Sequence, residues 1–459
     1  MARRQVIMVV DLGFGDAGKG TVVDALVRRM GAHTVVRFNG GAQAGHNVVT
    51  KGGRHHTFAQ LGAGTFVPGV RTHLSRYVVL HPTALLVEAR HLQASGPGDA
   101  LERLTISEAS WVTTPVHQAA ARLRELALGE GRHGSCGVGV GETMRDGLAD
   151  PGAVLRARDL LDVASLRRRL RAQQEQKRAD VADEIRAVAG LEEAEPEVRT
   201  LEDPRIVDAW IDALGPFRHR ELVVPEEATA ALLRAPGSVV FEGAQGVLLD
   251  EWRGFHPHTT WSTCTFDNAL ALVREAGTDA LVTRLGVLRA YATRHGPGPL
   301  PTESPALGPL LDEPHNATGP WQGPFRRGWF DAVLGRYAIA ASGGIDGVAL
   351  THLDALPRLG RWRGCSAYRA RAPDERLLTT ASGGEVTGLR LGALRDLDHT
   401  AALTRALRDV RPVYEEPGSS AGAVSRWIED ALATNVLVTS AGPTADDKAY
   451  APSFAVRMQ

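Results

Sequence analysis

The chain has 459 residues, more than one simple core usually holds, so an elaborated domain or two is expected. Hydrophobic residues make up 43% and charged residues 23%, the balance of a soluble globular protein, and a formal net charge of −1 argues against an extended nucleic-acid or anionic-membrane surface. The cysteines (Cys136, Cys264, Cys365) lie far apart and form no metal-type pair or disulfide framework, and the apolar run after Arg3-Arg4 is interrupted too soon for a signal peptide or a membrane span. A cytoplasmic protein is expected.

The stretch from Val6 to Asn47 organises the rest. Val6 to Val10 is an apolar run that predicts a buried strand. Gly13, Gly15, Gly18 and Gly20 follow as a glycine-rich turn, then Val22, Val23, Leu26, Val27 and Met30 recur at helical spacing. A strand, a glycine turn and a helix N-terminus hold a phosphate, because free N–H groups and the helix dipole favour an anion. Gly13-x4-Gly18-Lys19 keeps the Walker A spacing as far as the lysine, but Gly20 stands where a Ser or Thr should hold magnesium. Asp16 inside such a loop would repel bare phosphate, so its presence points to cation binding or to proton removal. Val35-Val36 starts a second strand, and Gly40-Gly41-Ala42-Gln43-Ala44-Gly45-His46 is a second glycine loop.

Further along, a strand is expected at Tyr77–Leu80, a helix over Ala84–Leu92, a strand at Leu104–Ile106 and a helix opening at Pro115. Val154 to about Gly190 is rich in Arg, Glu, Gln and Ala and predicts solvent-exposed helices, with Arg167-Arg168-Arg169 on a solvated face. Leu191 to Pro204 is acidic, contains two prolines and reads as a loop. Strands return at Val239–Phe241, Ala280–Thr283, Val348–Leu350 and Val436–Val438, with helices between. The alternation predicts an α/β fold with a large, mainly parallel central sheet, a P-loop-like nucleotide site and helical insertions. We expect one domain over residues 1–459, with a helical insertion around 151–235.

Gly15-Asp16-Ala17-Gly18-Lys19-Gly20 and Asn39-Gly40-Gly41-Ala42-Gln43-Ala44-Gly45-His46 resemble the two opening motifs of the adenylosuccinate synthetase family. Phe241-Glu242-Gly243-Ala244-Gln245-Gly246, Pro257-His258-Thr259-Thr260-Trp261-Ser262-Thr263, Val287-Leu288-Arg289-Ala290-Tyr291-Ala292-Thr293-Arg294 and Gly298-Pro299-Leu300-Pro301-Thr302-Glu303 extend the likeness over most of the chain. That family joins inosine monophosphate to aspartate using GTP and magnesium. The resemblance implies that Asp16 removes the lactam proton, that His46 stabilises the phosphoryl group in transfer, and that Gln245 contacts the acceptor base. It also implies that Asp16 and the Gly45 carbonyl touch Mg2+. The GTP site would comprise Gly15, Gly18, Lys19, Gly20, Thr21, His46 and Asn47, with His352, Asp354, Ser440 and Gly442 around the base. A carboxylate at Asp354 can accept both N1 and N2 protons of guanine, which favours GTP over ATP.

Several positions depart from the family pattern. Ala17 replaces a glutamate, and His352 stands where the family has a lysine. In the family an asparagine, two threonines and an arginine lent by a second subunit hold the acceptor phosphate. Here those positions read Gln43, Cys136 (after Ser135), Thr260 and Asp150, the last a charge reversal; Arg145, Arg156 and His133 are candidate compensators. Asp16 and Gln245 complete the acceptor site. For the amino acid, Thr318, Arg326 and Arg327 remain as candidates, since Arg binds carboxylates in a fork. The resemblance further implies a homodimer. Three readings follow: a GTP-dependent ligase that phosphorylates a carbonyl oxygen and displaces the phosphate with an amino acid's amine, with the parent substrates or an altered acceptor or donor; a nucleotide-binding regulator without turnover; or an ordinary P-loop NTPase acting on a macromolecule, against which Gly20 and the near-neutral charge count.

Overall fold

The computed structural model describes residues 4–131, 135–218, 221–311, 313, 316 and 323–458. Among these, ten strands form a central sheet in the order Lys448–Tyr450, Val436–Ser440, Gly347–Thr351, Leu281–Arg289, Gln5–Asp11, Ser238–Glu242, Thr34–Arg37, Arg71–Leu74, Leu104–Ser107 and Val223–Val224. Every neighbouring pair runs parallel except Val436–Ser440 with Lys448–Tyr450. The expected fold class is therefore what forms.

The Gln5–Asp11 strand lies inside the sheet and feeds both cores. Ile7 and Val9 pack into one, and Val6, Met8 and Val10 into the other. That alternation is the period-2 geometry of a strand buried on both faces, which is why the sequence reads as one unbroken apolar run. The first core continues into the helical segment through Leu166 and Leu170 of the Val163–Asp180 helix, Val207 and Trp210 of the Pro204–Ala213 helix, and Phe217. Arg167 and Arg171 pair with Asp208, and Arg169 with Asp159, so two arginines of the basic run are paired locally.

Three expectations are corrected. Leu191 to Pro204 is helical, with a short turn at Glu192–Ala194 and a helix over Glu195–Glu202. Pro196 sits in that helix's first turn and Pro204 opens the next helix, where no N–H is required, while Glu195 and Glu197 favour the positive end of the dipole. Second, the strand is Arg71–Leu74; Val79 and Leu80 make only isolated bridges, to Gly41 and Val112. Third, a smaller sheet of Phe330–Asp331, Gly364–Arg369, Leu378–Thr380, Val386–Leu389 and Arg411–Glu415 has no counterpart in the pattern read from sequence. Two antiparallel strand pairs matter for the site: His46–Val49 with His55–Phe58, and Ala292–His295 with Phe325–Gly328.

Candidate active site

Loops leaving the carboxyl ends of the parallel strands converge, as expected for a ligand crevice in an open α/β sheet. The first is the glycine turn after Asp11. Gly15 and Gly18 hold φ of 90° and 85°, and Asp16 itself holds 57°, a left-handed conformation that a non-glycine residue adopts at a cost. The Asp11 carboxylate organises this turn. It accepts the N–H groups of Gly13 (2.8 Å) and Ala17 (2.9 Å) and the Lys19 ammonium (3.0 Å), with both charged side chains buried. The sequence reading gave Asp11 no role, since it lies at the end of an apolar strand.

The Lys19–Met30 helix starts at Gly18 with no side-chain cap, so its first N–H groups face the crevice. A β-carbon on Gly20 would stand 2.8 Å from the Asn47 carbonyl oxygen and 2.9 Å from the His46 Cβ. The hydroxyl residue of an ordinary P-loop therefore has no room, because the His46 strand lies directly against the helix. The Thr21 hydroxyl donates to the Pro443 carbonyl (2.6 Å), which ties the helix to the loop after the Val436–Ser440 strand.

His46 is buried and its Nδ1 lies 2.5 Å from a carboxylate oxygen of Glu242, the last residue of the neighbouring Ser238–Glu242 strand. The other Glu242 oxygen accepts the Ala63 N–H (2.9 Å). Burial opposes ionisation of Glu242, yet Arg37, His46 and the Ala63 N–H hold its carboxyl below the ordinary range. Burial drives the His46 ring down to about 4 against the pull of Glu242. The pair thus rests as carboxylate and neutral imidazole, with Nδ1–H donating. Nε2 becomes a donor only when the ring gains a proton, and a polyphosphate beside it would favour that charge. Glu242 fixes both tautomer and orientation, a role the sequence reading did not assign.

Asn39 locks three loops together. Its amide donates to the Ala244 carbonyl (3.0 Å) and the Ser262 hydroxyl (3.3 Å), and it accepts the Ala244 N–H (2.7 Å). Gln245, at φ 56°, sits where a β-carbon on Gly40 would be 2.8 Å from its Oε1. Both polar atoms of the Gln245 amide are buried without a partner among the described residues, and so is Gln43 Oε1. Buried amides are nearly always satisfied, so unpaired ones lining a crevice are what a ligand would complete. Gly41 abuts Gln43 and Val140, and Gly141 abuts Trp261, which brings the second glycine loop, the start of the Val140–Ala149 helix and the threonine-rich loop side by side. Thr260 lies in the threonine-rich loop, and Ser135 and Cys136 in the loop that precedes that helix; burial raises the Cys136 thiol above its ordinary value. Asp150, at the far end of that helix, accepts the Gly152 N–H and faces its own turn.

Asp16 is partly exposed, its Oδ2 lying 3.5 Å from His295 Nε2. Burial raises its carboxyl above the ordinary range, against the opposing charges of His295, Lys19 and Arg289. Arg289 is buried, donates to Glu313 (2.6 Å) and lies over the Tyr291 ring. Beside the glycine turn, Gly18 approaches Thr351 and His352, whose ring burial holds neutral. Asp354 is exposed in the turn that follows. Ser440 donates to the Gly442 carbonyl (3.2 Å), and Lys448, not anticipated from sequence, secures that loop through the Gly442 (2.8 Å) and Thr444 (2.7 Å) carbonyls.

Some candidates are engaged elsewhere. The Asn47 carbonyl oxygen of the side chain accepts from His55 and Thr57 within its hairpin. Arg326 is bound to Glu303 and to the Gly296 and Gly298 carbonyls, whereas Arg327 has a buried Nε with no partner among the described residues. Thr318 and His133 lie outside the described residues. Among the described residues no group of three or more His, Cys, Asp or Glu is placed to hold a metal ion by itself.

The family model described as adenylosuccinate synthetase matches residues 8–448. The chain belongs to the adenylosuccinate synthetase family. An adenylosuccinate synthetase of an Anaeromyxobacter species is 36% identical over 354 residues, covering 76% of this chain and 77% of that protein. The Mycobacterium tuberculosis relative is 34% identical over 427 residues, covering 92% and 87%. The fold matches a fully ligated Plasmodium falciparum adenylosuccinate synthetase with a TM-score of 0.77 at 21% identity, covering 97% of this chain and all of the other. It also matches a cyanophage S-2L succinoaminodeoxyadenylate synthetase bound to dGMP and dATP, with a TM-score of 0.60 at 18% identity and full coverage of both.

Proposed function

We propose that this adenylosuccinate synthetase family member is a GTP-dependent ligase that phosphorylates the lactam oxygen of a purine-like acceptor and replaces the phosphate with an amino acid's amine. The observation that carries the reading is the convergence of Asp16, the His46–Glu242 pair and the unpartnered Gln245 amide at one crevice. Gln245 can accept and donate at the lactam edge at once. Asp16 takes the lactam proton, which makes the oxygen nucleophilic. His46 donates from Nε2 to the phosphoryl group in flight while Glu242 holds the ring. Lys19 and the uncapped helix start receive the nucleotide phosphates.

Magnesium fits these residues. The ion needs only one or two carboxylates when phosphates complete its shell, and Asp16 offers a partly exposed carboxylate inside the phosphate loop, with the Gly45 carbonyl as a second ligand. Bound there, it would neutralise phosphate charge.

The acceptor is held without the usual grip on a 5′-phosphate. Cys136 is a weak donor, Gln43 presents an unpartnered Oε1, and Asp150, where the family has an arginine, supplies no cation. Losing two or three charge-assisted contacts weakens a phosphate ligand by about 10²- to 10⁵-fold. Kinetics with GTP, aspartate and either inosine monophosphate or inosine test this. The dephosphorylated acceptor should be used at least as well, and a micromolar Michaelis constant for inosine monophosphate would overturn it. The enzyme works as a homodimer on this reading, so light scattering should give about twice 49.1 kDa.

A further inference from the structure

His295 belongs to neither the phosphate loop nor the motifs to which roles were assigned. It ends the Ala292–His295 strand, which pairs antiparallel with Phe325–Gly328 in the register Thr293↔Arg327, Arg294↔Arg326 and His295↔Phe325. Directly opposed residues share a face, and successive residues alternate. His295, Phe325, Thr293 and Arg327 therefore lie on one face, and Arg294 and Arg326 on the other. The second face is closed. Arg294 donates to the carbonyls of Pro297, Pro299 and His258, and Arg326 is held by Glu303, Gly296 and Gly298.

The first face lies beside Asp16. His295 Nε2 is 3.5 Å from Asp16 Oδ2, within ion-pair distance. Its Nδ1 is buried without a partner among the described residues, as is Nε of Arg327. The Phe325 ring steadies both, with the imidazole centroid 4.6 Å away and the Arg327 guanidinium 5.4 Å from the ring centre. A carboxylate can only accept, so the ring nitrogen facing Asp16 carries hydrogen, and in the neutral ring Nδ1 is then an acceptor. An unpartnered acceptor and an unpartnered guanidinium N–H on one face match the two ends of an α-amino acid.

We propose that His295 is a positioning residue that links the two halves of the reaction: Nε2 orients the Asp16 carboxylate, and Nδ1 accepts an N–H of the donor's amine while Arg327 takes its carboxylate. This rests on the ligase reading and adds the donor's seat to it. The amine nitrogen is thereby aimed at the carbon that Asp16 helps to activate. The C–N bond forms as the C–O bond to phosphate breaks, and the amine proton leaves with the released phosphate or to water.

Two variants separate the functions of the two nitrogens. His295→Gln keeps a donor at the Nε2 position and loses Nδ1; His295→Asn keeps an acceptor near Nδ1 and cannot reach Asp16. A panel of the twenty common α-amino acids, aspartate included, is titrated calorimetrically onto the full-length protein and then used as donors in GTP-dependent phosphate release. The amino acid that binds wild type should bind His295→Gln about tenfold or more weaker, with its Michaelis constant raised and kcat within about threefold. His295→Asn should leave that Michaelis constant within about threefold and lower kcat about tenfold or more. Equal changes in both parameters for both variants, or wild-type behaviour in both, overturn the proposal, as does failure of any α-amino acid to bind wild type. Binding that weakens in His295→Gln without turnover in wild type would uphold the donor seat and sink the ligase reading.

Discussion

Gly20 lies so close to His46 that a single β-carbon would be 2.9 Å from the histidine Cβ and 2.8 Å from the next residue's carbonyl oxygen. The departure from an ordinary P-loop thus has a steric cause: the helix start lies directly against the strand that carries His46. Restoring the Walker serine should harm the protein. Gly20→Ser is expected to cost about 1–3 kcal/mol of stability through overpacking and to reduce turnover at least about tenfold by displacing His46. A thermal melt and a phosphate-release assay check both; an active variant with an unchanged melting temperature would refute the steric account.

Glu242 should matter as much as the histidine it holds. Glu242→Gln keeps the shape but removes the charge that lets His46 become cationic beside the phosphates. Turnover is expected to fall about 10²- to 10⁴-fold. GTP affinity, measured by fluorescence titration, should change by less than about threefold.

Acid should weaken the fold through buried histidines outside the site as well. Burial holds His73 at about 4, against an ordinary 6.5, between the hydroxyls of Thr105 and Thr229. The unfolded chain therefore binds this proton between pH 6.5 and 4 while the folded one does not. Stability contributed by the neutral ring is full above about 6.5 and declines as pH falls through that window. Urea denaturation at pH 7.5 and pH 5 should show the loss, and His73→Gln should flatten it. An equal slope in that variant would exclude His73 as a contributor.

Asp354 should set the nucleotide base. Asp354→Asn is expected to reduce kcat/KM with GTP and to improve it with xanthosine triphosphate, whose base presents an acceptor where guanine presents a donor. A shift of about tenfold or more in the ratio is expected from one reversed hydrogen bond. Equal efficiency of native enzyme with ATP and GTP would contradict the assignment.

The sheet was legible where strands are buried on both faces. Val6–Val10, Val239–Phe241, Val348–Leu350 and Val436–Val438 are continuous apolar runs for that reason. The small sheet around Gly364–Arg369 was not, because its strands are short and partly exposed and their stability comes from cross-strand neighbours. Prolines misled at Leu191–Pro204, since a proline in a first turn and a proline in a loop look alike in sequence. In the site, Asp16 stood out because an acid breaks the pattern of a phosphate-holding loop, and His46 and Gln245 because their segments resemble motifs of the family. Glu242 and His295 did not, because their contacts arise only from adjacency between elements distant in the chain, and Asp11 did not because it reads as the end of an apolar strand although its contacts to Gly13, Ala17 and Lys19 are local.

The central claim is that the acceptor's own oxygen leaves as phosphate. The direct measurement uses inosine or inosine monophosphate carrying 18O at the lactam position, whichever turns over faster, with GTP, magnesium and aspartate. Mass spectrometry of the released inorganic phosphate should find one 18O per phosphate, in step with formation of the new C–N bond, and Asp16→Asn should lower that label release about 10²- to 10⁴-fold. Phosphate released without label, or at the same rate without an acceptor, would show that GTP is simply hydrolysed and would contradict the account.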